Sequence, residues 1–171
     1  MLEGIITTFI VVLAGVYVLN FNYSHFEPAE NQNFNSINQW NYDKQLEVTE
    51  FNGVLKITSN NTVYASWPLL TSKSFNVYSG ETILLSFYVK YLNTAQSSLG
   101  IMGNTSKGDA VLSYAFIVEG NSSWQYYRLR ITIPSDVSSA FIQLAMGWVL
   151  YNKIPEIIML KDIALYNLLS A

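Results

Sequence analysis

The chain has 171 residues, half of them hydrophobic and 15% aromatic, which is enough apolar material for one packed domain and argues against a disordered one. Only 12% of residues are charged, the net charge is -3, and no basic block exists to replace the counterions of a phosphate backbone, so nucleic acid is not expected as a partner. The lack of cysteine removes thiolate catalysis, disulfides and thiolate metal sites together.

In chain order the first element is hydrophobic. Gly4 to Ser24 carries no charge, and residues 5–21 are apolar apart from Thr7, Thr8, Gly15 and Asn20. A helix of about 20 residues spans roughly 30 Å, so residues 1–24 are expected to form a membrane-anchoring helix. Met1-Leu2-Glu3-Gly4 offers no basic n-region, and Tyr17-Val18-Leu19-Asn20-Phe21 offers no small-x-small cleavage site, so the segment is expected to stay attached. Its partner is then a lipid bilayer or a helix bundle. No Lys or Arg precedes Lys44, which leaves charge bias silent on orientation. A charge-poor, Tyr- and Asn-rich body suits the outside of a cell, filament or virion. Four Asn-x-Ser/Thr sequons, at Asn22, Asn60, Asn104 and Asn121, permit that location.

Residues 25–41 read as a connector and first strand, and residues 42–171 as the folded domain. Thr82–Tyr91 alternates, with Ile83, Leu85, Phe87, Val89 and Tyr91 on one face. Gln125–Ile133 repeats the pattern, with Tyr127, Leu129, Ile131 and Ile133 inward and Arg128 and Arg130 on the solvated side. Ala140–Trp148 places Ala140, Ile142, Leu144, Met146 and Trp148 together, and Glu156–Tyr166 is expected to place Ile157, Met159, Ile163 and Leu165 on a common face. Shorter strands fall at Leu46–Thr49, Gly53–Ser59, Thr62–Ala65, Ser74–Val77, Leu99–Met102 and Val111–Val118. Turn residues such as Asn52-Gly53, Ser79-Gly80 and Lys107-Gly108-Asp109 separate them. The fold class is therefore all-β, an antiparallel β-sandwich or jelly roll preceded by one N-terminal hydrophobic (transmembrane) α-helix.

No catalytic constellation is visible. His25 is the only histidine and sits in the connector. The carboxylates fall mostly at turns and strand ends, unlike a glycosidase pair, and no phosphate loop, nucleophile elbow or histidine metal motif occurs. The chain is not expected to be an enzyme.

The order of short segments from about Phe26 to Leu165 resembles the galactose-binding-like jelly roll of carbohydrate-binding modules of families 4 and 9. The matching pieces are Phe26-Glu27, Trp40, Gly53-Val54-Leu55-Lys56-Ile57, Phe75-Asn76-Val77-Tyr78-Ser79-Gly80-Glu81, Leu85-Ser86-Phe87-Tyr88-Val89-Lys90, Ser123-Trp124-Gln125-Tyr126-Tyr127, Ile133-Pro134 and Lys161-Asp162-Ile163-Ala164-Leu165. The resemblance implies a structural calcium tying the first strand to the last, at Glu27 and Asp162 here. It implies that Trp40 and Trp124 are core, and that Trp67, in Tyr64-Ala65-Ser66-Trp67-Pro68, lies on the ligand face. Tyr64, Trp148 and Tyr151 are the other ligand-binding candidates. In overall layout the chain also resembles archaeal type IV pilins, which join a hydrophobic helix to a β-sandwich.

Three functions fit these features. The leading one is a membrane-anchored structural or adhesive surface protein, packing against other subunits of a cell-surface or virion assembly. A second is a pilin-like filament subunit whose helix forms the filament core. A third is a membrane-tethered carbohydrate-binding module that takes glycans.

Overall fold

A computed structural model of the chain describes residues 26–28, 34–60, 67–92, 97–117, 123–147 and 155–168. The expected N-terminal helix, on which both anchoring and the pilin likeness depend, lies outside these residues. So do His25 and the expected strand at 62–65. Among the described residues no helix is long and apolar enough to cross a membrane, and the helical content is one 3-10 turn at Ile37–Gln39.

The strands are β1 (Phe26–Pro28), β2 (Trp40–Tyr42), β3 (Leu46–Phe51), β4 (Val54–Ser59), β5 (Leu69–Ser72), β6 (Phe75–Asn76), β7 (Thr82–Tyr91), β8 (Ser97–Thr105), β9 (Gly108–Ile117), β10 (Gln125–Thr132), β11 (Val137–Ala145) and β12 (Glu156–Leu168). They form two antiparallel sheets. The first has the order β10-β7-β12-β4-β3, with β1 also pairing β12. The second has the order β2-β5-β11-β8-β9, with β6 also pairing β11. Apart from the β3–β4 and β8–β9 pairs, neighbouring strands are non-consecutive in the chain, which gives the crossed connections of a jelly roll.

Period-two alternation decides which side chains meet between the sheets. Leu55, Ile57, Leu85, Phe87 and Leu160 of the first sheet, with Leu70, Leu99, Ile101, Ile142 and Leu144 of the second, are all fully buried. Each such side chain contributes about 1.5–3 kcal/mol when removed from water. At one end of the core Trp40 is buried, as expected. Its indole Nε1 donates to the Phe34 carbonyl at 2.8 Å, and Phe34 meets the Trp40 and Phe75 rings edge-on at 6.3 and 5.8 Å. The hairpin between β3 and β4 turns at Asn52 and Gly53, with φ of 50° and 73°, which their Asn-Gly chemistry tolerates.

Two expectations fail on local geometry. In β12 the predicted common face is split, because Ile158 and Leu160 point inward before a bulge and Ile163 and Leu165 after it. The bulge lies between Lys161 and Ala164, with Asp162 at φ 51°, and the extra residue reverses the alternation. Ile157 and Met159 therefore face outward and are only half-buried. Trp124, expected in the core, is half-exposed and lies beside Lys161, its ring centroid 4.8 Å from the ammonium Nζ.

Candidate functional site

The outer face of the second sheet carries a groove. Strand register fixes its rows: Asn41, Thr71, Gln143, Gly100 and Tyr114 stand side by side across five strands. The adjoining row runs Leu69, Ala145, Ser98 and Phe116. Ala145, Ser98 and Gly100 are small, so the floor is low. Tyr114 and Phe116 rise on one side and Trp67 on the other, enclosing about 310 Å³.

Edge strand β9 supplies the first wall. Val111, Tyr114 and Phe116 are 59%, 51% and 58% exposed, an unusual load of apolar surface for a sheet edge. The Tyr114 and Phe116 rings fix each other edge to face, with centroids 4.9 Å apart at 87°. A bulge opposite Ile101 and Met102 lets β9 lean over β8. Only glycine fits beneath it: a methyl on Gly100 would run into the Ser113 carbonyl oxygen and come within 2.7 Å of Tyr114 Cβ.

Trp67 supplies the second wall and is 42% exposed. Its chain neighbours are held on both sheet partners. The Pro68 carbonyl accepts from Met146 N–H at 3.0 Å, and Leu69 N–H donates to Asp43 Oδ2 at 2.9 Å. Asp43 N–H in turn donates to the Leu69 carbonyl at 3.0 Å. Trp67 is thus anchored through the two residues that follow it, Pro68 on Met146 and Leu69 on Asp43.

The lining is mainly apolar. Gln143, Ser98 and the Tyr114 hydroxyl are the polar side chains that converge on it, and the described lining holds no charged group. Such a surface can stack and hydrogen-bond a ligand, and it offers no acid–base pair for bond cleavage.

The perturbed titratable groups among the described residues lie elsewhere. Glu156 of β12 is fully buried between the sheets. Its Oε1 accepts from Ser97 Oγ at 2.6 Å and from the Tyr91 hydroxyl at 3.1 Å, and Ser97 Oγ also accepts from Gly147 N–H at 3.2 Å. Oε2 has no partner among the described residues. Burial pushes the carboxyl up to about 7 against the partial opposition of the Ser97 and Tyr91 hydrogen bonds. The Tyr91 hydroxyl is raised as well, by burial first and then by the charge on Glu156. The cluster ties β7 and β12 of one sheet to β8 of the other.

Of the ligand-binding residues expected from sequence, the structure places Trp67 in the groove, while Tyr64, Trp148 and Tyr151 lie outside the described residues. Tyr114, Phe116 and Gln143 were not singled out by sequence. Of the calcium pair, Glu27 stands in β1 opposite Asn167, five positions along β12 from Asp162, or about 16 Å of strand. Asp162 is exposed and 3.8 Å from Lys161 Nζ. Among the described residues no group of three or more His, Asp or Glu side chains could hold a metal ion. Asn60 is exposed after β4, and Asn104 is half-buried with its amide donating to Ser139 Oγ at 2.6 Å. Asn22 and Asn121 lie outside the described residues.

No family model and no curated protein sequence matches the chain. Solved structures do share its fold. A family 4 carbohydrate-binding module is 17% identical with a TM-score of 0.59, over 82% of this chain and 94% of the other. A xylan-binding domain of family 22 is 14% identical with a TM-score of 0.54, over 82% and 94%. The C-terminal family 22 carbohydrate-binding module of Clostridium thermocellum Xyn10B is 15% identical with a TM-score of 0.55, over 81% and 92%. At these identities the likeness establishes a shared β-sandwich jelly roll.

Proposed function

We propose that the chain is a carbohydrate-binding module whose groove on the second sheet takes a neutral glycan chain. One observation carries the reading: aromatic walls at Trp67 and at Tyr114 and Phe116 flank a floor of Gly100, Ser98 and Ala145. Aromatic faces stack on the apolar faces of sugar rings, and Gln143 and Ser98 can hydrogen-bond hydroxyl groups from the floor. An uncharged lining suits a neutral sugar, since a buried anion would find no counter-charge there. The shared fold with carbohydrate-binding modules supports this reading over the purely structural and filament readings, which rest on residues 5–21 and on the charge-poor, Tyr- and Asn-rich composition. The apolar segment would tether the module to a membrane, with the groove outside.

The test is retardation of the full-length chain in native gels containing neutral polysaccharides such as xylan, mixed-linkage glucan and mannan. At least one should retard the protein. Trp67→Ala or Tyr114→Ala should weaken that retardation about tenfold, as loss of an aromatic anchor does. Unretarded migration in all of them, or retardation indifferent to both substitutions, would remove the proposal.

A further inference from the structure

The opposite side of the sandwich has a different character. Across the outer face of the first sheet, register aligns Lys56, Met159 and Lys90, then Val54, Lys161, Tyr88 and Tyr126. Ser86 stands with Ala164 and Arg128 in the next row, and Leu84 with Tyr166 and Arg130 in the one after. Five of the nine Lys and Arg residues of the chain therefore share one sheet face. Among the described residues the acids on that face are Glu47, opposite Thr58, and Asp162 at the bulge. Five cations against two carboxylates leave the described residues of this face at +3 in a chain whose net charge is -3.

Two of these cations sit on aromatic rings. Lys161 Nζ lies 4.8 Å from the Trp124 centroid and 5.3 Å from that of Tyr88. Arg128 Cζ lies 4.9 Å from the Tyr126 centroid, and its Nε donates to the Tyr126 hydroxyl at 2.9 Å. The Tyr88 and Tyr126 rings pack 4.8 Å apart. A ring orients a cation without neutralising it, and Lys161 Nζ also lies 3.8 Å from Asp162 Oδ2, one of the two carboxylates counted on this face.

We propose that this face is a second binding surface, for an acidic polysaccharide bearing carboxylate or sulfate groups. Charge complementarity selects an anionic partner. Interleaved rings select one made of units with flat apolar faces, and cations spread over four strands, with Lys56 and Lys90 two strands or about 10 Å apart, suit a polymer that carries its anions along an extended chain. The surface shares no residue with the groove, so success or failure of neutral-glycan binding leaves this inference standing on its own.

The experiment uses the full-length chain in native gels containing polygalacturonate, alginate or chondroitin sulfate, from about 20 mM to about 300 mM salt. At least one should retard the protein at low salt, and raising the salt should weaken this about tenfold or more. The double substitution Lys161→Gln/Arg128→Gln should give a similar loss with an unchanged thermal midpoint, and the pair Lys56→Gln/Lys90→Gln should weaken binding in the same direction. Trp67→Ala should leave retardation by the acidic polymer unchanged. Free migration in all three polymers at low salt would overturn the proposal, as would retardation that survives both double substitutions. Tighter binding to single-stranded DNA or to phosphatidylserine vesicles would overturn it in favour of that partner.

Discussion

Replacing Glu156 by Gln keeps the shape of the side chain and removes its ability to ionise, at a site where ionisation is costly. The carboxyl is fully buried, and burial raises it from its ordinary value of 4.5 to about 7. Below pH 4.5 the group is protonated in both folded and unfolded chains, and no penalty exists. Between 4.5 and about 7 the unfolded chain releases the proton while the folded chain keeps it, so stability falls as pH rises. At about 1.4 kcal/mol per pH unit, the loss reaches ~3 kcal/mol above pH 7. Gln at this position cannot show that loss. Its amide places N–H groups where Oε2 has no partner among the described residues, a cost of about 1–3 kcal/mol that does not vary with pH. The decisive quantity is therefore the change in the stability difference between the two proteins, which cancels that constant. Guanidinium unfolding followed by tryptophan fluorescence, from pH 4 to 8, should show Glu156→Gln gaining ~3 kcal/mol on the native protein across this range. Parallel stability curves would refute a buried carboxyl protonated near neutrality.

Three further outcomes follow from the packing. Gly100→Ala forces a methyl against the Ser113 carbonyl and the base of Tyr114, and should cost about 1–3 kcal/mol in unfolding experiments while weakening retention by any glycan the groove binds. Trp40→Phe leaves the Phe34 carbonyl without its indole donor in a buried site, which should lower stability by about 1–3 kcal/mol; an unchanged midpoint would contradict that hydrogen bond. Asp43→Ala frees Leu69 N–H next to Trp67 and should weaken glycan retention several-fold with little loss of stability, whereas Asp43→Asn, which keeps an acceptor, should largely restore it.

The fold was legible where alternation runs unbroken. Thr82–Tyr91 appears with its expected boundaries and inward face, and Ala140, Ile142, Leu144 and Met146 of the β11 region are all buried. It was illegible where one residue resets the phase. Asp162 takes a left-handed conformation without being Gly or Asn, so nothing in Lys161-Asp162-Ile163 announces the bulge that turns Ile157 and Met159 outward. Strand β5 was missed because Thr71 and Ser72 dilute a short apolar run, although Ser72 Oγ accepts from Ile142 N–H at 2.8 Å inside the second sheet. Trp67 could be singled out through its place beside Pro68 in a family-like segment. Tyr114 and Phe116 could not, because an edge strand apolar on both faces reads locally like any buried strand. Likewise Arg128 and Arg130 were recognisable as a solvated side, while their meeting with Lys56, Lys90 and Lys161 depends on strand order that local sequence does not encode.

Hydrogen–deuterium exchange of the full-length chain, with and without a neutral polysaccharide that retards it, tests glycan seating in the groove most directly. Slowed exchange should concentrate in peptides covering 108–117 and the segment beginning at Trp67, with the strands of the first sheet unchanged. Protection confined to β7, β10 and β12, or no protection at 108–117 under saturating glycan, would contradict it.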